Sequence, residues 1–495
     1  MSHERKTTAA RLAAAAGIAA AMFIGDPCGA TLQITAPSLP APPIQIFERE
    51  AVHFWRLENG LRVVMKEDHS VPVVAVNIVI RAGTRGETTH NNGISHFMEH
   101  MMFRAARAGG QDSLSGPIEA VGGVVNGGTL RDFTHYIAVT ASQDFGLALD
   151  ALAKALLNPR FDPAAVVAER LVLLREAQQV ADQPSVAAWD MAFKLAYQGH
   201  PYALPIAGDR TSLASIDAPA LAAFHRQWYV PGNASVVIVG DISPITARAE
   251  VARAFSGWTA QVADAGTPSV PQAPPLAGPL ERLVSRDLPY AALLMGFRAA
   301  SIYQLREVCA TDLLLTLLGE GYTSRLKRAL VDTRLANEVT ANFLTQELPG
   351  LFGIQATCSP ERTQEVRRAI ERETAHLREE AVSSEDLLRA KQRLAHDFVF
   401  ANETFEDQAS TLGFYEAIST YEFALTYLDQ VRSITPAEVQ AAARAYLDPA
   451  HAVWVVIAPP ARETGAPGPS ANRPGTSAVP DPNVRQRAPG RVTVR

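Results

Sequence analysis

The chain has 495 residues, more than one hydrophobic core usually organises, so several domains are expected. Its apolar fraction of 47%, charged fraction of 19% and net charge of −6 are ordinary for a globular protein and exclude a strongly basic nucleic-acid-binding surface. The three cysteines have no CxxC spacing, which excludes a cysteine zinc site and a disulfide framework. Cys309 and Cys358 are predicted to be buried free thiols, although an oxidising compartment would allow them to pair.

The N-terminus has the pattern of a secretory signal. Three basic residues lie within the first eleven positions, residues 12–25 form an uncharged alanine-rich stretch, and small residues precede a cut after Ala30. The apolar stretch is too short to span a bilayer comfortably, so no stable membrane span is expected. We predict a signal peptide at residues 1–30 and a periplasmic location. The alternative is a mitochondrial presequence and the mitochondrial matrix.

Proline-rich stretches divide the rest of the chain. Residues 31–46 and 259–280 are predicted to be linkers, because proline and small residues dominate them. Residues 460–495 contain too little apolar surface to order themselves and are predicted to be a disordered tail. Between these segments lie two globular regions, residues 47–258 and residues 281–459.

The two globular regions follow one plan. Each opens with strands, continues with a long helix-rich middle, and ends with a tyrosine–proline turn followed by a strand. The strands are predicted at residues 61–65, 73–80 and 235–239 in the first region, and at 291–297 and 452–457 in the second. Strands followed by runs of helices are typical of an α+β sandwich. We therefore predict an α+β fold with two homologous α/β sandwich units in tandem that enclose a cleft.

A buried helix is predicted at residues 93–106 in the first region. Apolar residues surround this segment on nearly all sides, which is typical of a helix inside a protein core. Asn91 or Asn92 is the expected N-terminal cap.

This apolar helix carries three residues that metal chemistry would use. His96 and His100 are four positions apart, so both rings project from one face and can reach one metal ion. Glu99 lies beside the same face, where it can hold and deprotonate a metal-bound water. The alternative is a set of core polar groups satisfied by hydrogen bonds. Two histidines and a glutamate in this register favour metal binding.

A catalytic zinc ion needs three protein ligands and one open position, so a third ligand must come from another element. Residues 162–183 are predicted to form a helix that starts with an aspartate cap and a proline. Glu169 and Glu176 lie on its apolar stripe, about two turns apart. Two carboxylates that face a core need a cation. Zinc is one candidate, and the neighbouring Arg170 and Arg175 are the other.

The arrangement resembles the pitrilysin or insulinase family of inverzincins, and most closely its members similar to mitochondrial processing peptidase. The family pattern is HxxEH followed some seventy-odd positions later by a glutamate ligand, and His100 and Glu176 are 176 − 100 = 76 positions apart. Further matches extend the resemblance over roughly residues 50–458. They are Asn59-Gly60-Leu61, Arg81-Ala82-Gly83, Gly122-Gly123-Val124-Val125-Asn126, Leu157-Asn158-Pro159, Gly199-His200-Pro201-Tyr202 and Val239-Gly240-Asp241.

The resemblance implies a role for each site residue. His96, His100 and Glu176 would bind zinc, with one ion per chain. Glu99 would be the general base. Glu169 would support catalysis without binding the metal.

The resemblance also implies where the substrate lies. Asn126 would be near the substrate backbone, on a strand that leads into the cleft. Residues 124–139 are strand-like, and an extended peptide could add to such a sheet edge. His200 belongs to a loop motif of the family and is not expected to be a ligand.

The second region departs from the family pattern. Members that act alone carry an arginine and a tyrosine, seven positions apart, just after Ser-Arg-Leu, and these groups help to hold the substrate and its oxyanion. This chain has Ser324-Arg325-Leu326, followed by Val331 at the arginine position and Asn337 or Glu338 at the tyrosine position. The second region also lacks an HxxEH motif, so we predict that it is not an active site.

Together these features predict a zinc-dependent metalloendopeptidase that cleaves peptides or small unfolded proteins. A heterodimer is expected, in which a zinc-free homologue supplies the missing arginine and tyrosine. One alternative is a homodimer in which Arg325 or Tyr322 takes over their role. Another is a non-catalytic scaffold, assembly or peptide-holding subunit on the same fold.

Overall fold

The computed structural model describes residues 46–104, 114–259, 272–322 and 324–460. The predicted signal peptide, nearly all of the first linker, and the tail after its first residue lie outside these ranges, as does most of the second linker. The last two residues of the predicted helix 93–106 also lie outside the described residues.

The first half of the chain forms a six-stranded sheet. Its strands are β1 (Val52–Arg56), β2 (Arg62–Glu67), β3 (Val73–Ile80), β4 (Val124–Thr129), β5 (Thr134–Ala141) and β6 (Ala234–Gly240). They lie in the order β1-β2-β6-β3-β5-β4. Only β2 and β6 run parallel, and the other neighbouring strands are antiparallel. Because β4 is the last strand of this order, its outer edge has no partner within the sheet.

The second half forms a five-stranded sheet. Its strands are β7 (Leu280–Ser285), β8 (Ala291–Arg298), β9 (Glu338–Leu344), β10 (Leu351–Cys358) and β11 (Val453–Ala458). They lie in the order β7-β11-β8-β10-β9, and only β7 and β11 run parallel. Apart from the extra strand β1, the two sheets match strand for strand and direction for direction. The predicted α+β fold with two homologous units is therefore confirmed.

Eight helices of the first half are described: α1 (Ile94–Arg104), α2 (Ser115–Ala120), α3 (Phe145–Leu157), α4 (Pro163–Asp182), α5 (Pro184–Ala196), α6 (Arg210–Ser215), α7 (Ala218–Trp228) and α8 (Pro244–Ala254). Those described in the second half are α9 (Leu305–Gly319), α10 (Thr363–Glu379), α11 (Ser384–Phe400), α12 (Phe405–Ile418), α13 (Glu422–Ser433) and α14 (Pro436–Tyr446), with a π-helical turn at Lys327–Val331. None of these helices is long and apolar enough to cross a bilayer.

The two halves exchange one helix each. The helix α12 of the second half packs on β3 and β6 of the first sheet, while α5 of the first half packs on β8 and β11 of the second. Helices therefore cover both faces of the central strands. This explains why β3 and β6 are buried almost continuously rather than at alternate positions.

Polar contacts fix the exchanged helix α12 in place. Glu416 at its end forms an ion pair with Arg62 of β2 at 2.9 Å and accepts a hydrogen bond from the Ser235 hydroxyl of β6. Near its start, Gln408 accepts a hydrogen bond from the buried ammonium group of Lys66 at 2.8 Å. These partners lie on the first sheet, so the position of α12 depends on both halves of the chain.

The two described cysteines are buried and unbonded, as predicted. Cys309 lies in α9 and Cys358 ends β10. Burial raises the pKa of both thiols, to about 11 for Cys358, which keeps them protonated at neutral pH.

Candidate metal centre

A buried carboxylate holds the start of the predicted metal-binding helix. The Glu87 side chain accepts hydrogen bonds from the backbone amides of Gly93 at 2.8 Å and Ser95 at 2.9 Å. The predicted cap at Asn91 or Asn92 is wrong, because the Asn92 amide donates to Glu87 and Asn91 accepts from a residue upstream. An anion suits this position, since it satisfies free amides and lies at the positive end of the helix dipole.

The two histidines of α1 lie side by side. Their ring centres are 4.7 Å apart, and the ring planes are inclined at 82°. His96 is half-buried, and its Nδ1 atom is buried without a hydrogen-bond partner among the described residues. Burial, with a smaller contribution from His100, lowers the pKa of His96 to about 3. This imidazole is therefore neutral, as a metal ligand must be.

His100 lies between two carboxylates of helix α4. Its Nδ1 atom is 2.9 Å from Glu169 Oε1, and its Nε2 atom is 3.5 Å from Glu176 Oε2. Burial alone would lower the pKa of His100, but the hydrogen bond to Glu169 and the surrounding carboxylates outweigh it and raise that pKa. The environment of this ring therefore favours positive charge.

Three ligand atoms converge at this point. One atom each from His96, His100 and Glu176 lie within 4.8 Å of one another, and no other such set occurs among the residues that the structure describes. Ligands around a tetrahedral zinc ion are roughly 3.3 Å apart, given metal–ligand distances of about 2.0–2.1 Å. The Glu176 side chain is 43% exposed and can close the remaining difference. Two imidazoles and one carboxylate are a donor set that zinc accepts, so the residues fit this metal.

Glu99 lies half-buried beside these ligands. Its Oε2 atom accepts a hydrogen bond from the Thr129 hydroxyl of β4 at 2.7 Å. Burial raises the pKa of Glu99, although the charge of His100 and the hydrogen bond from Thr129 act against this shift. A carboxylate whose pKa is raised above its ordinary value is suited to take and return a proton.

Glu169 holds His100 rather than joining the ligand set. It is buried, and it accepts hydrogen bonds from His100 Nδ1 and from the Arg104 guanidinium of α1. Burial alone would raise the pKa of Glu169, but these two donors outweigh it and lower that pKa. A carboxylate on the far nitrogen of a ligand histidine fixes the orientation of the ring.

The cation beside Glu169 is Arg104 rather than the alternative Arg170. The Arg170 guanidinium donates to the backbone carbonyl of Ile216 at 2.6 Å, and Arg104 takes the place beside Glu169. The sequence contained a signal for this, because Arg104 lies four positions after His100 and shares its helix face. Glu87, which holds the start of α1, and Thr129, which contacts Glu99, were also not predicted from the sequence.

Asn126 lies on the edge strand β4, as expected. A side-chain carbon at Gly127 would lie 2.7 Å from the Phe103 ring of α1, so Gly127 faces that helix and Asn126 faces away from it. The Asn126 Oδ1 atom accepts a hydrogen bond from the Gly127 amide at 2.9 Å. The structure therefore does not bring the Asn126 side chain to the ligand set, and its contact with substrate stays a prediction.

The remaining candidates lie elsewhere. His200 is buried, accepts a hydrogen bond from the Tyr202 amide at 3.0 Å, and is not part of the ligand set. In the second half, Arg325 donates to Glu373 at 3.0 Å, while Tyr322 is 84% exposed.

Comparisons with known proteins give the family. The model for "Insulinase (Peptidase family M16)" matches residues 62–210, and the model for "Peptidase M16 inactive domain" matches residues 215–394. The uncharacterized zinc protease YmxG of Bacillus subtilis is 26% identical over 358 residues, which are 72% of this chain and 86% of that protein. A mitochondrial-processing peptidase beta subunit of Arabidopsis thaliana is 27% identical over 68% of this chain and 65% of its own length.

Solved structures give the same fold. A protease from Helicobacter pylori matches with a TM-score of 0.76 at 22% identity, over 82% of this chain and 99% of its own. The structure named peptidase M16 inactive domain from Pseudomonas fluorescens matches with a TM-score of 0.74 at 21% identity, over 83% and 98%. On the two family models and these relatives, the chain belongs to the insulinase family of peptidases, family M16.

Proposed function

We propose that the chain is a zinc-dependent endopeptidase that hydrolyses peptides or small unfolded proteins. The observation that carries this proposal is the convergence of His96, His100 and Glu176, whose ligand atoms lie within 4.8 Å of one another beside Glu99. The names of several relatives as zinc proteases support zinc as the metal.

Each residue of the site has its own role in the proposed reaction. A zinc ion held by His96, His100 and Glu176 would supply Lewis acidity at the scissile carbonyl and the attacking water. Glu99 takes the proton of that water and passes it to the leaving amine. Glu169 keeps the His100 ring in the orientation in which its Nε2 atom faces Glu176, where it would be free to hold the metal.

An extended peptide is the substrate that this site suits. The strand β4 lies at the edge of the first sheet and carries Thr129, which contacts the proposed base Glu99. Main-chain hydrogen bonds along such an edge hold a peptide in extended form without requiring a particular sequence. Asn126 would then lie beside the substrate backbone.

The test of this function is Glu99→Gln. The amide cannot accept the water proton, so hydrolysis of an unstructured peptide should fall by about 10²–10⁴-fold. Zinc content, measured by metal analysis, should stay at one ion per chain, because Glu99 is not in the ligand set. A variant that keeps most of its activity would remove Glu99 from the role of base.

We also propose that a zinc-free homologue completes the active site. The chain has Val331 where the resemblance expects an arginine, and Asn337 or Glu338 where it expects a tyrosine. A relative is named as the beta subunit of a processing peptidase. Fixed donors that face the developing oxyanion are generally needed for acyl transfer. Activity should therefore rise to a plateau as a homologue encoded next to this chain is added. Full activity of the pure chain, unchanged by that homologue, would contradict this.

A second candidate function is a non-catalytic subunit that holds peptides. The match of residues 215–394 to an inactive-domain model and the absent arginine–tyrosine pair are the observations that favour it. Zinc stoichiometry measured together with peptide hydrolysis separates the two functions. A chain that binds zinc and peptide but cleaves nothing, with or without the homologue, would be such a subunit.

The location is proposed from the N-terminus. Residues 1–30 have the charge and hydropathy of a secretory signal, so the mature chain should begin near Thr31 in the periplasm. Sequencing of the N-terminus of protein from its native source checks this. An intact first segment would contradict it.

A further inference from the structure

The strand β4 reaches the metal centre through one hydroxyl group. Side chains alternate along a strand, and Gly127 and Thr129 both face α1. The Thr129 hydroxyl lies 2.7 Å from Glu99 Oε2. It also lies 3.5 Å from the Thr134 hydroxyl, but that group donates its proton to the Ala82 carbonyl at 2.7 Å. The single proton of Thr129 is therefore available to Glu99.

The hydrogen bond from Thr129 restrains the Glu99 carboxylate. Among the described residues, Thr129 provides the one hydrogen bond that reaches the Glu99 side chain. A carboxylate can rotate about its terminal bond, and the terminal torsion of glutamate is broad. Proton transfer depends on placement to within about half an ångström, so holding one oxygen sets where the other can accept a proton.

We propose that Thr129 is a positioning residue for the general base, an inference that rests on the proposed peptidase function. Thr129 acts through Glu99 and touches neither the metal ligands nor the reacting atoms. Because it belongs to the edge strand that would receive the peptide, one strand supports both the substrate and the base. The distance between the scissile bond and the base is then set by how β4 lies against α1, which carries Glu99.

The experiment compares Thr129→Val with Thr129→Ser in the zinc-loaded full chain, with and without the neighbouring homologue. Valine keeps the shape but removes the donor, so kcat should fall about 10- to 100-fold, the range expected for a lost hydrogen bond to a charged group. KM and zinc content should stay within about twofold of the wild-type values on the same reasoning. Serine retains the hydroxyl and should recover most of kcat.

A matched control comes from the neighbouring strand. Thr140 of β5 is a buried threonine, whereas Thr129 is half-buried, and the Thr140 hydroxyl has no hydrogen-bond partner among the described residues. Thr140→Val should leave kcat unchanged, which separates loss of the Glu99 contact from general loss of a buried hydroxyl.

Wild-type kcat in Thr129→Val overturns the inference alone, as does a defect in KM or zinc content without a fall in kcat. Equal defects in the valine and serine variants also overturn it, because the hydroxyl would then not be the cause. A wild-type chain no more active than Glu99→Gln overturns both this inference and the proposed function, since no reaction would remain for a base to serve.

Discussion

At the scale of single residues, the two carboxylates of α4 lie against opposite nitrogens of the same ring. Glu169 contacts His100 Nδ1 and is enclosed with Arg104, while Glu176 faces Nε2 and remains 43% exposed on its side chain. The enclosed carboxylate already has two donors and cannot turn towards a metal. No donor from the described residues hydrogen-bonds to the exposed carboxylate of Glu176, which can become the third ligand.

This difference predicts distinct effects of two matched substitutions. Glu176→Gln removes a ligand and should leave the purified chain with little zinc. Glu169→Gln should retain most zinc but lose much activity, because loss of an outer carboxylate typically costs 10–100-fold in metal affinity or activity. Metal analysis of the two variants, prepared in parallel, decides the assignment. The reverse pattern would mean that Glu169 is the ligand.

A buried acid in the second half predicts a pH dependence. Burial in α9 raises the pKa of Asp312 to about 8, even though its carboxylate accepts a hydrogen bond from the Tyr427 hydroxyl at 2.7 Å. The folded chain therefore holds this proton more tightly than the unfolded chain does. Stability from Asp312 is fully present below the ordinary aspartate pKa and is lost as pH rises towards 8.

Asp312→Asn tests this, because asparagine does not titrate. The urea midpoint of the wild type, relative to that of the variant, should be highest below the ordinary aspartate pKa, and it should fall as pH rises from there through 8. Other titrating groups are common to both proteins and cancel in the difference. A difference that grows with pH would show that the acid is ionised in the folded chain.

The residues of the site differ in how far the sequence could reveal them. His96, Glu99 and His100 lie within one helical turn and a half, so their spacing alone predicts a shared face. Glu87 and Thr129 reach the site only through contacts that form when the chain folds, so the sequence pattern does not reveal them. Glu87 lies before a turn whose course the sequence did not give, and Thr129 approaches Glu99 only once β4 lies against α1. Hydrogen-bond partners such as Glu87 and Thr129 are brought into place by tertiary packing, and the local periodicity of the sequence carries no information about that packing.

At the scale of elements, long apolar patterns were predictable and short or half-exposed strands were not. The strand predicted at residues 73–80 is β3, and α4 begins with the expected aspartate cap and proline. The edge strands β1, β7 and β9 were not predicted, because their partly exposed faces weaken the apolar pattern. The buried strand β10 was not predicted either. Nor could periodicity show that α12 covers the first sheet, since its apolar surface does not specify which sheet it meets.

The exchanged helix α12 carries a prediction of its own. Glu416→Ala leaves Arg62 of β2 without its buried partner, and breaking such a pair costs about 3–5 kcal/mol when both charges are enclosed. Arg62 retains some exposure, so we expect a loss of about 2–4 kcal/mol in the free energy of unfolding, measured with urea. The control is Glu385→Ala, whose exposed pair with Arg389 should contribute less than about 1 kcal/mol. Equal losses would mean that Glu416 does not anchor the helix.

At the scale of the whole molecule, neither half is complete without the other. The first sheet needs α12 over one face, and the second needs α5. A fragment of residues 46–259 or 272–460 alone would expose the apolar face of its sheet to water. Each fragment should therefore be insoluble or unfolded when expressed singly. Expressed together, they should copurify and bind one zinc ion per pair. A first fragment that folds and binds zinc by itself would contradict this.

The exchange also suggests how such a chain could arise. A single ancestral unit, with its fifth helix extended away from its own sheet, would have packed that helix on the sheet of a second identical unit. The second unit would have packed its own helix on the first in the same way. Such a reciprocal exchange gives a closed twofold dimer. Joining the two copies end to end would preserve every contact while freeing each copy to change separately. One copy could then keep the histidines and the other could lose them without cost to the fold.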